Sequence, residues 1–455
     1  MKLNIISNFP GYLIGTLLVL QYFNSNSEIL DTGFNHTLVL QCLTCILSIP
    51  FLYALNIKKS LYIVGIVFLF LIFIAIHYEV VSRINDYTFA LNHIWSYVKF
   101  CFYLFIFLVV YLYFDGEDFI VFIRFLKYIF WALLIEGLIY LIFKILGFSI
   151  VHLFESAQGR FASIFLHHNS LVNLFAFYVI SYVMFFGSHR EKVIYLLLGV
   201  ILIILSQERS AIIGLLFLGF SYVFFSYDEQ VGAYKNKIFL LFTFSSIVVG
   251  LVVIYTLNFR AAEYTSFGMF LRTILLRIYL SYLAIVHLFE SGNPIFGFGP
   301  FMSILPINLA DMHSDYVEKF VHVVSVILGN TEEIFFRQFH DVARISSPSY
   351  TVNAHNTFVI LLYHFGFLSL FILFYFGYLF FISINYIKQH LKEILLIEKS
   401  QAGLYTNENF FQISSLVFII VSLPILFFLS FDNYLILNVI AFGHIGSLVR
   451  KVAHG

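Results

Sequence analysis

Apolar residues fall in long, nearly unbroken runs, and polar residues are confined to the short gaps between them. Twelve runs can be drawn, at about 5–23, 34–56, 60–78, 94–114, 119–147, 169–187, 193–206, 210–226, 238–258, 355–384, 411–430 and 434–449. Most approach the roughly 20 residues that a helix needs to cross the hydrocarbon core. The seventh is short and meets the eighth with almost no loop. The first lacks a small-residue cleavage site and reads as a retained helix, not a signal peptide. The tenth begins at Ala354-His355-Asn356-Thr357 and continues as FVILLYHFGFLSLFILFYFGYLFFISI. It reads as one tilted crossing. The expectation is an all-α polytopic membrane protein of about 12 transmembrane helices. No internal repeat or flexible linker divides it, so residues 1–455 read as a single membrane domain.

Composition agrees with this pattern. Charged residues make up 11% of the 455, against about 25% in soluble domains. Net charge is zero, which gives no footing for nucleic-acid binding. Cys42 and Cys45 form a CxxC inside an apolar run. They share one helix face and read as packing residues instead of a redox or metal pair.

Orientation follows from Lys and Arg, because basic residues in short loops stay cytoplasmic. The N-terminus and every second connection hold Lys2, Lys58, Lys59, Arg124, Lys127, Arg190, Lys192, Lys235, Lys237, Lys388, Lys392, Lys399, Arg450 and Lys451. The opposite short connections hold only Arg83, Arg160 and Arg209. Both termini are therefore expected in the cytoplasm. Arg160, Arg209, His355 and the long 259–354 segment then share the outer face.

That segment is the one long extramembrane piece, and loops beyond about 15 residues usually carry function. FLRTILLRIYLSYLAIVHLFES (270–291) reads as an interfacial amphipathic helix, since Arg272, Arg277 and His287 argue against a crossing. The turn-rich GNPIFGFGPF (292–301) follows. DYVEKFVHVVSVILG (315–329) is a second candidate surface helix.

Four arginines and one His-Asn pair stand out for chemistry. Arg209, in LSQERSAIIG, lies at the bilayer edge, where a charge is costly and functional by default. The bland alternative is a turn arginine that snorkels or pairs with Glu208. Arg160 opens GRFASIFLHHNSLVNLFAF, where Asn169 could equally cap a helix. His167 and His168 lack acidic or thiol neighbours for a metal site. Arg272 and Arg277 could face the site or anchor headgroups. His355 suits a general base near pH 7, or a helix entrance. Glu136, inside the fifth run, must be paired or neutral there. Outer-face arginines with a histidine point to phosphate handling, because guanidinium forks bind diphosphate oxygens in a bidentate way. No phosphate loop, metal-ligand spacing or nucleophile elbow is visible.

These residues carry a resemblance. HNTFVILLYHFGFLSL (355–370) resembles the His-Asn, nine residues, Gly-x-x-Gly-Leu pattern of the O-antigen ligase and O-antigen polymerase superfamily, with Ser369 in place of the second glycine. LSQERSAIIG matches its Ser-x-x-Arg-x-Ala-x-x-Gly element at Ser206, Arg209, Ala211 and Gly214. GRFASIFLHHNSLVN (159–173) resembles its Arg-x-x-Gly-x-x-x-x-Pro-Asn element, with Ser163 and His168 replacing Gly and Pro. The stretch from Arg277 through NPIFGFGPF (293–301) resembles its Arg, helix, Asn-Pro-x-x-Gly-x-Gly segment. The resemblance implies an integral-membrane glycosyltransferase of class C-like fold, metal-independent and inverting. It would take a glycan from undecaprenyl diphosphate on the outer face of a bacterial inner membrane. It implies Arg209 and Arg277 on the diphosphate and His355 on the acceptor hydroxyl, with Arg160, Arg272 and Asn356 as substrate-binding residues. No cofactor is expected beyond the lipid carrier. Expected partners are lipid-linked oligosaccharide, membrane lipids, and a chain-length regulator and flippase.

The aromatic-rich composition resembles the polymerases of the superfamily, which extend a lipid-linked repeat unit. The ligase alternative transfers the glycan to lipid A-core. A secondary transporter is the rival from another class and should show helices broken near the midplane and a pseudo-repeat; neither is visible in the sequence. A non-catalytic scaffold gives no reason for charged residues at outer span ends.

Overall fold

The computed structural model describes residues 8–23, 36–84, 91–155, 161–163, 189–206, 293–300 and 357–372. It also describes helical residues between 172 and 183, 281 and 290, 319 and 326, 374 and 378, and 439 and 447. The named helices are α1 (Phe9–Tyr22), α2 (His36–Leu55), α3 (Ile57–Ile84), α4 (Leu91–Tyr113), α5 (Gly116–Leu146), α6 (His189–Ser206) and α7 (Thr357–Phe365). A 3-10 turn, Ser149–Phe154, follows α5. Among the described residues, four helices are long and apolar enough to cross a membrane: His36–Leu55, Ile57–Ile84, Ile94–Tyr113 and Glu117–Leu146. They match the second to fifth runs. The eighth, ninth and eleventh runs, and most of the twelfth, lie outside the described residues.

Side-chain pairs fix the helix directions. Along α1 and α5, Gly11 N donates to Asp118 Oδ1 at 2.7 Å, Gly15 faces the Phe125 ring, and the Tyr22 hydroxyl donates to Glu136. The two helices are therefore parallel. α2 runs against α1, with Phe9 stacked on Phe51 at 5.0 Å and Gln41 bonded to Gln21 at 2.9 Å. A single residue, Asn56, turns α2 into α3, and its side chain accepts from Lys59 N at 3.0 Å. The Tyr113 hydroxyl closes that turn, 3.0 Å from the carbonyls of Leu52 and Asn56. α4 runs back along α3, from a His77–Tyr97 contact to a Ser60–Tyr113 contact. α5 and α6 are parallel: Lys127 pairs with Glu191 at 3.1 Å, Trp131 donates to Tyr195 at 3.1 Å, and Gly137 faces Leu202 and Leu205.

The alternation gathers Tyr22, His77, Tyr97, Glu136 and Leu205 toward one end. Asn56, Ser60, Tyr113, Asp118 and Lys127 lie toward the other. Apolar side chains fill the space between, with Ile14, Leu17, Phe122, Phe130, Phe161 and Phe175 all deeply buried. Many large apolar side chains along α2 and α3 stay exposed, including Leu47, Phe51, Phe68 and Leu69, as lipid-facing positions do.

Local chemistry explains the ends of α5. Asp115 caps it, accepting from Glu117 N at 2.9 Å and Asp118 N at 3.0 Å. The Asp118 carboxylate reaches back to Asp115 N, the reciprocal pattern that satisfies otherwise orphaned amides. Gly147, at φ 71°, stops the helix, as a left-handed residue past the last turn does.

The tenth run differs from its expectation. It is not one uninterrupted helix: α7 ends at Phe365, Gly366 takes φ 56°, and helix resumes at Leu368. The cause is a loop pressed against the break, described next.

Candidate functional site

The loop Asn293–Pro300 and the end of α7 are joined through backbone. Phe298 N donates to Tyr363 O at 2.9 Å, Gly299 N to His364 O at 2.9 Å, and Phe367 N to Pro294 O at 2.8 Å. Gly366 N returns to Leu362 O at 2.7 Å, and Gly297 N to Asn293 O at 2.9 Å. The approach is closer than any side chain permits. A Cβ on Gly366 would lie 2.5 Å from the carbonyl groups of Pro294 and Ile295, and one on Gly297 would lie 2.6 Å from Gly366 N and Tyr363 O. Both glycines are left-handed, at φ 56° and 70°, a region that penalises other L-residues. The Asn-Pro-x-x-Gly-x-Gly and His-Asn…Gly stretches thus meet as two halves of one seam.

Aromatic stacking reinforces it. Phe298 lies on Tyr363 at 4.7 Å and on His287 at 4.5 Å. His287 belongs to the helical residues before the loop, where Ala284 and Leu288 are buried and Ile285 and Phe289 exposed.

His77 fastens the seam to the bundle. Its ring is 1% exposed. Nε2 lies 2.8 Å from Phe296 O and Nδ1 lies 2.7 Å from the Tyr97 hydroxyl. A carbonyl can only accept, so Nε2 carries the hydrogen and the neutral ring accepts from Tyr97 at Nδ1. The ring also meets Phe365 at 5.3 Å. Sequence reasoning missed His77, although a polar residue inside an apolar run is a signal in its own right.

A second convergence lies where α5 meets α6. A Cβ on Gly137 would sit 3.3 Å from Leu202, 3.2 Å from Leu205 and 3.6 Å from Phe161. Phe161 follows Arg160 in sequence. Leu205 precedes Ser206, the buried first residue of the Ser-x-x-Arg element, whose hydroxyl donates to Ile203 O at 3.0 Å. The flanks of two more motif stretches therefore meet at one end of the bundle.

The six candidates themselves, Arg160, Arg209, Arg272, Arg277, His355 and Asn356, lie outside the described residues, as do His167, His168, Asn169 and Glu208. Lys319, His322 and Val326 of the second candidate surface helix are helical and exposed. Glu136 is paired, as its burial required, with Tyr22. Cys42 and Cys45 lie in α2 as free thiols, Cys45 buried.

Two departures from the family pattern acquire physical meaning. Ser163, standing where the pattern has glycine, takes φ 68°, which explains the glycine. Ser369, replacing the second glycine of the His-Asn pattern, is not left-handed. It sits in the resumed helix, and its hydroxyl donates to Gly366 O at 2.7 Å. That position imposes no need for glycine.

Comparison with known proteins gives one match. Residues 194–374 match the family model described as O-antigen ligase. No curated protein and no solved structure matches. The matched segment, less than half of the chain, starts inside α6, includes the whole seam and extends past Gly366, and over that length the chain is similar to the O-antigen ligase and polymerase superfamily, whose members are glycosyltransferase-like.

Proposed function

We propose that the protein is a surface-polysaccharide polymerase of the bacterial inner membrane. It moves a glycan from undecaprenyl diphosphate to the non-reducing end of another lipid-linked repeat unit. The observation that carries the reading is the seam, because it joins two motif stretches within the matched segment, at the far end of the helix that follows His355-Asn356 in sequence. In the proposed reaction His355 takes the proton from the acceptor hydroxyl. The hydroxyl oxygen attacks the anomeric carbon from the face opposite the leaving group, and the carbon–oxygen bond to the diphosphate breaks with inversion. Arg209 and Arg277 hold the diphosphate as its charge grows, the role guanidinium groups fill where charge develops. Arg160, Arg272 and Asn356 contribute to substrate binding on the same, periplasmic face. No cofactor takes part beyond the lipid carrier. A flippase supplies the repeat units and a chain-length regulator sets the product.

The broken tenth run does not favour a transporter. Unwound carbonyls in transporters coordinate ions. Here the carbonyls of Leu362, Tyr363, His364 and Gly366 each accept a backbone N–H.

Ligase activity is the second reading, favoured by the description of the matched family. A deletion strain separates the two. Core capped by single repeats means polymerase, whereas naked core with accumulated lipid-linked polymer means ligase. Arg209→Ala and His355→Ala are expected to insert at normal levels and to abolish chain extension on a polysaccharide gel. Wild-type chain lengths from both would remove the enzymatic assignment.

A further inference from the structure

Glu136, Tyr140 and Lys144 lie at i, i+4 and i+8 on α5, so they form one polar stripe along the largely apolar second half of that helix. Such residues are costly in a membrane and mark function by default. The stripe holds two short stretches that pair with each other. Glu155 and Phe161 form an antiparallel bridge, and Ala162 N donates to Phe154 O at 2.8 Å. Lys144 Nζ lies 3.2 Å from Glu155 Oε1, and the Tyr140 hydroxyl donates to the same oxygen at 3.2 Å. The Tyr140 ring packs on Phe161 at 5.3 Å. One turn below, Glu136 accepts from the Tyr22 hydroxyl, and that phenol is hydrogen-bonded to Ser163. Ser163 is fully buried at φ 68°. A serine held in the left-handed region is strained and persists only where its surroundings over-determine it.

We propose that Glu136, Tyr140 and Lys144, with Tyr22, form a dock that fixes Phe154, Glu155 and Phe161–Ser163, and that this dock acts on substrate binding through the arginine that immediately precedes Phe161 in sequence. These are positioning residues. The inference rests on the reading above, in which Arg160 binds the lipid-linked substrate.

The test uses the full chain in nanodiscs and lipid-linked repeat units extracted from the deletion strain. Tyr22→Phe removes only the hydroxyl that links Glu136 to Ser163. It is expected to lower turnover by about tenfold to a hundredfold, the scale on which small misplacements act. Glu136→Gln keeps an acceptor oxygen and retains most activity, whereas Glu136→Leu does not. In an Arg160→Ala background, Tyr22→Phe is expected to add no further loss, because it acts through that arginine. Hydrogen exchange of the Ala162 amide is expected to accelerate in Tyr22→Phe while the α3–α4 amides keep their protection. Additive losses in the double variant, or unchanged exchange at Ala162, overturn the dock and leave the polymerase reading intact. An Arg160→Ala variant with full activity removes the dock together with the role of Arg160, but not the roles of Arg209 and His355. A wild-type chain that transfers no glycan to either acceptor, repeat unit or lipid A-core, removes the reading itself.

Discussion

Substituting Gly366 by alanine tests the seam most directly. The new methyl would stand 2.5 Å from the carbonyl groups of Pro294 and Ile295, so the loop must retreat. Retreat breaks the bonds from Phe298 N, Gly299 N and Phe367 N, each of which contributes about 1 kcal/mol. The left-handed backbone at φ 56° adds about 1–2 kcal/mol of strain. The junction should therefore weaken by roughly 4–5 kcal/mol, or about a thousandfold in its opening equilibrium. Hydrogen exchange followed by mass spectrometry reads this locally, on peptides covering 293–300 and 357–370. Accelerated exchange there, with α5 unchanged and chain extension lost, is the expected result. Native protection at Phe298 and Gly299 in the alanine variant would show that the two stretches do not meet as described.

Three further substitutions follow from the same geometry. His77→Phe strands the half-buried Phe296 carbonyl at a cost of about 1 kcal/mol, whereas His77→Gln can still donate from its amide; thermal unfolding should separate them, and equal melting would discard the anchoring role. Ser369→Gly gives up the hydroxyl bond to Gly366 and some helix propensity, about 1 kcal/mol in melting stability, with chain extension retained; loss of extension at native stability would show a role beyond packing. Gly15→Leu places its first carbon 2.2 Å from the Phe125 ring and should cost about 1–3 kcal/mol by forcing α1 off α5; an unchanged melting temperature would contradict the close α1–α5 approach.

How far the sequence could be read differs between elements for physical reasons. α2 to α5 were legible because each is a long apolar run with polar ends, and the bilayer demands that form. The pairing of Glu136 was legible because an unpaired carboxylate cannot persist there. The break at Gly366 was not. The run from 358 to 384 contains nothing polar enough to interrupt it, and the cause is a loop about 70 residues earlier (Gly297 against Gly366) whose glycines match it in shape. His77 was hidden in the same way, since its two partners come from α4 and from the loop. The strain at Ser163 was equally invisible: only its backbone angle reveals why the family pattern has glycine there. Hydropathy, in short, reports what each segment does alone, while the junctions depend on partners distant in the chain.

The junction at Gly366 is written in main-chain atoms and missing side chains. Ile295 and Phe367, which flank it, point outward and contribute no hydrogen bond from their side chains. Residues there can drift without unfastening the join. A lineage could therefore recast the side chains that surround the junction while keeping the same main-chain pin.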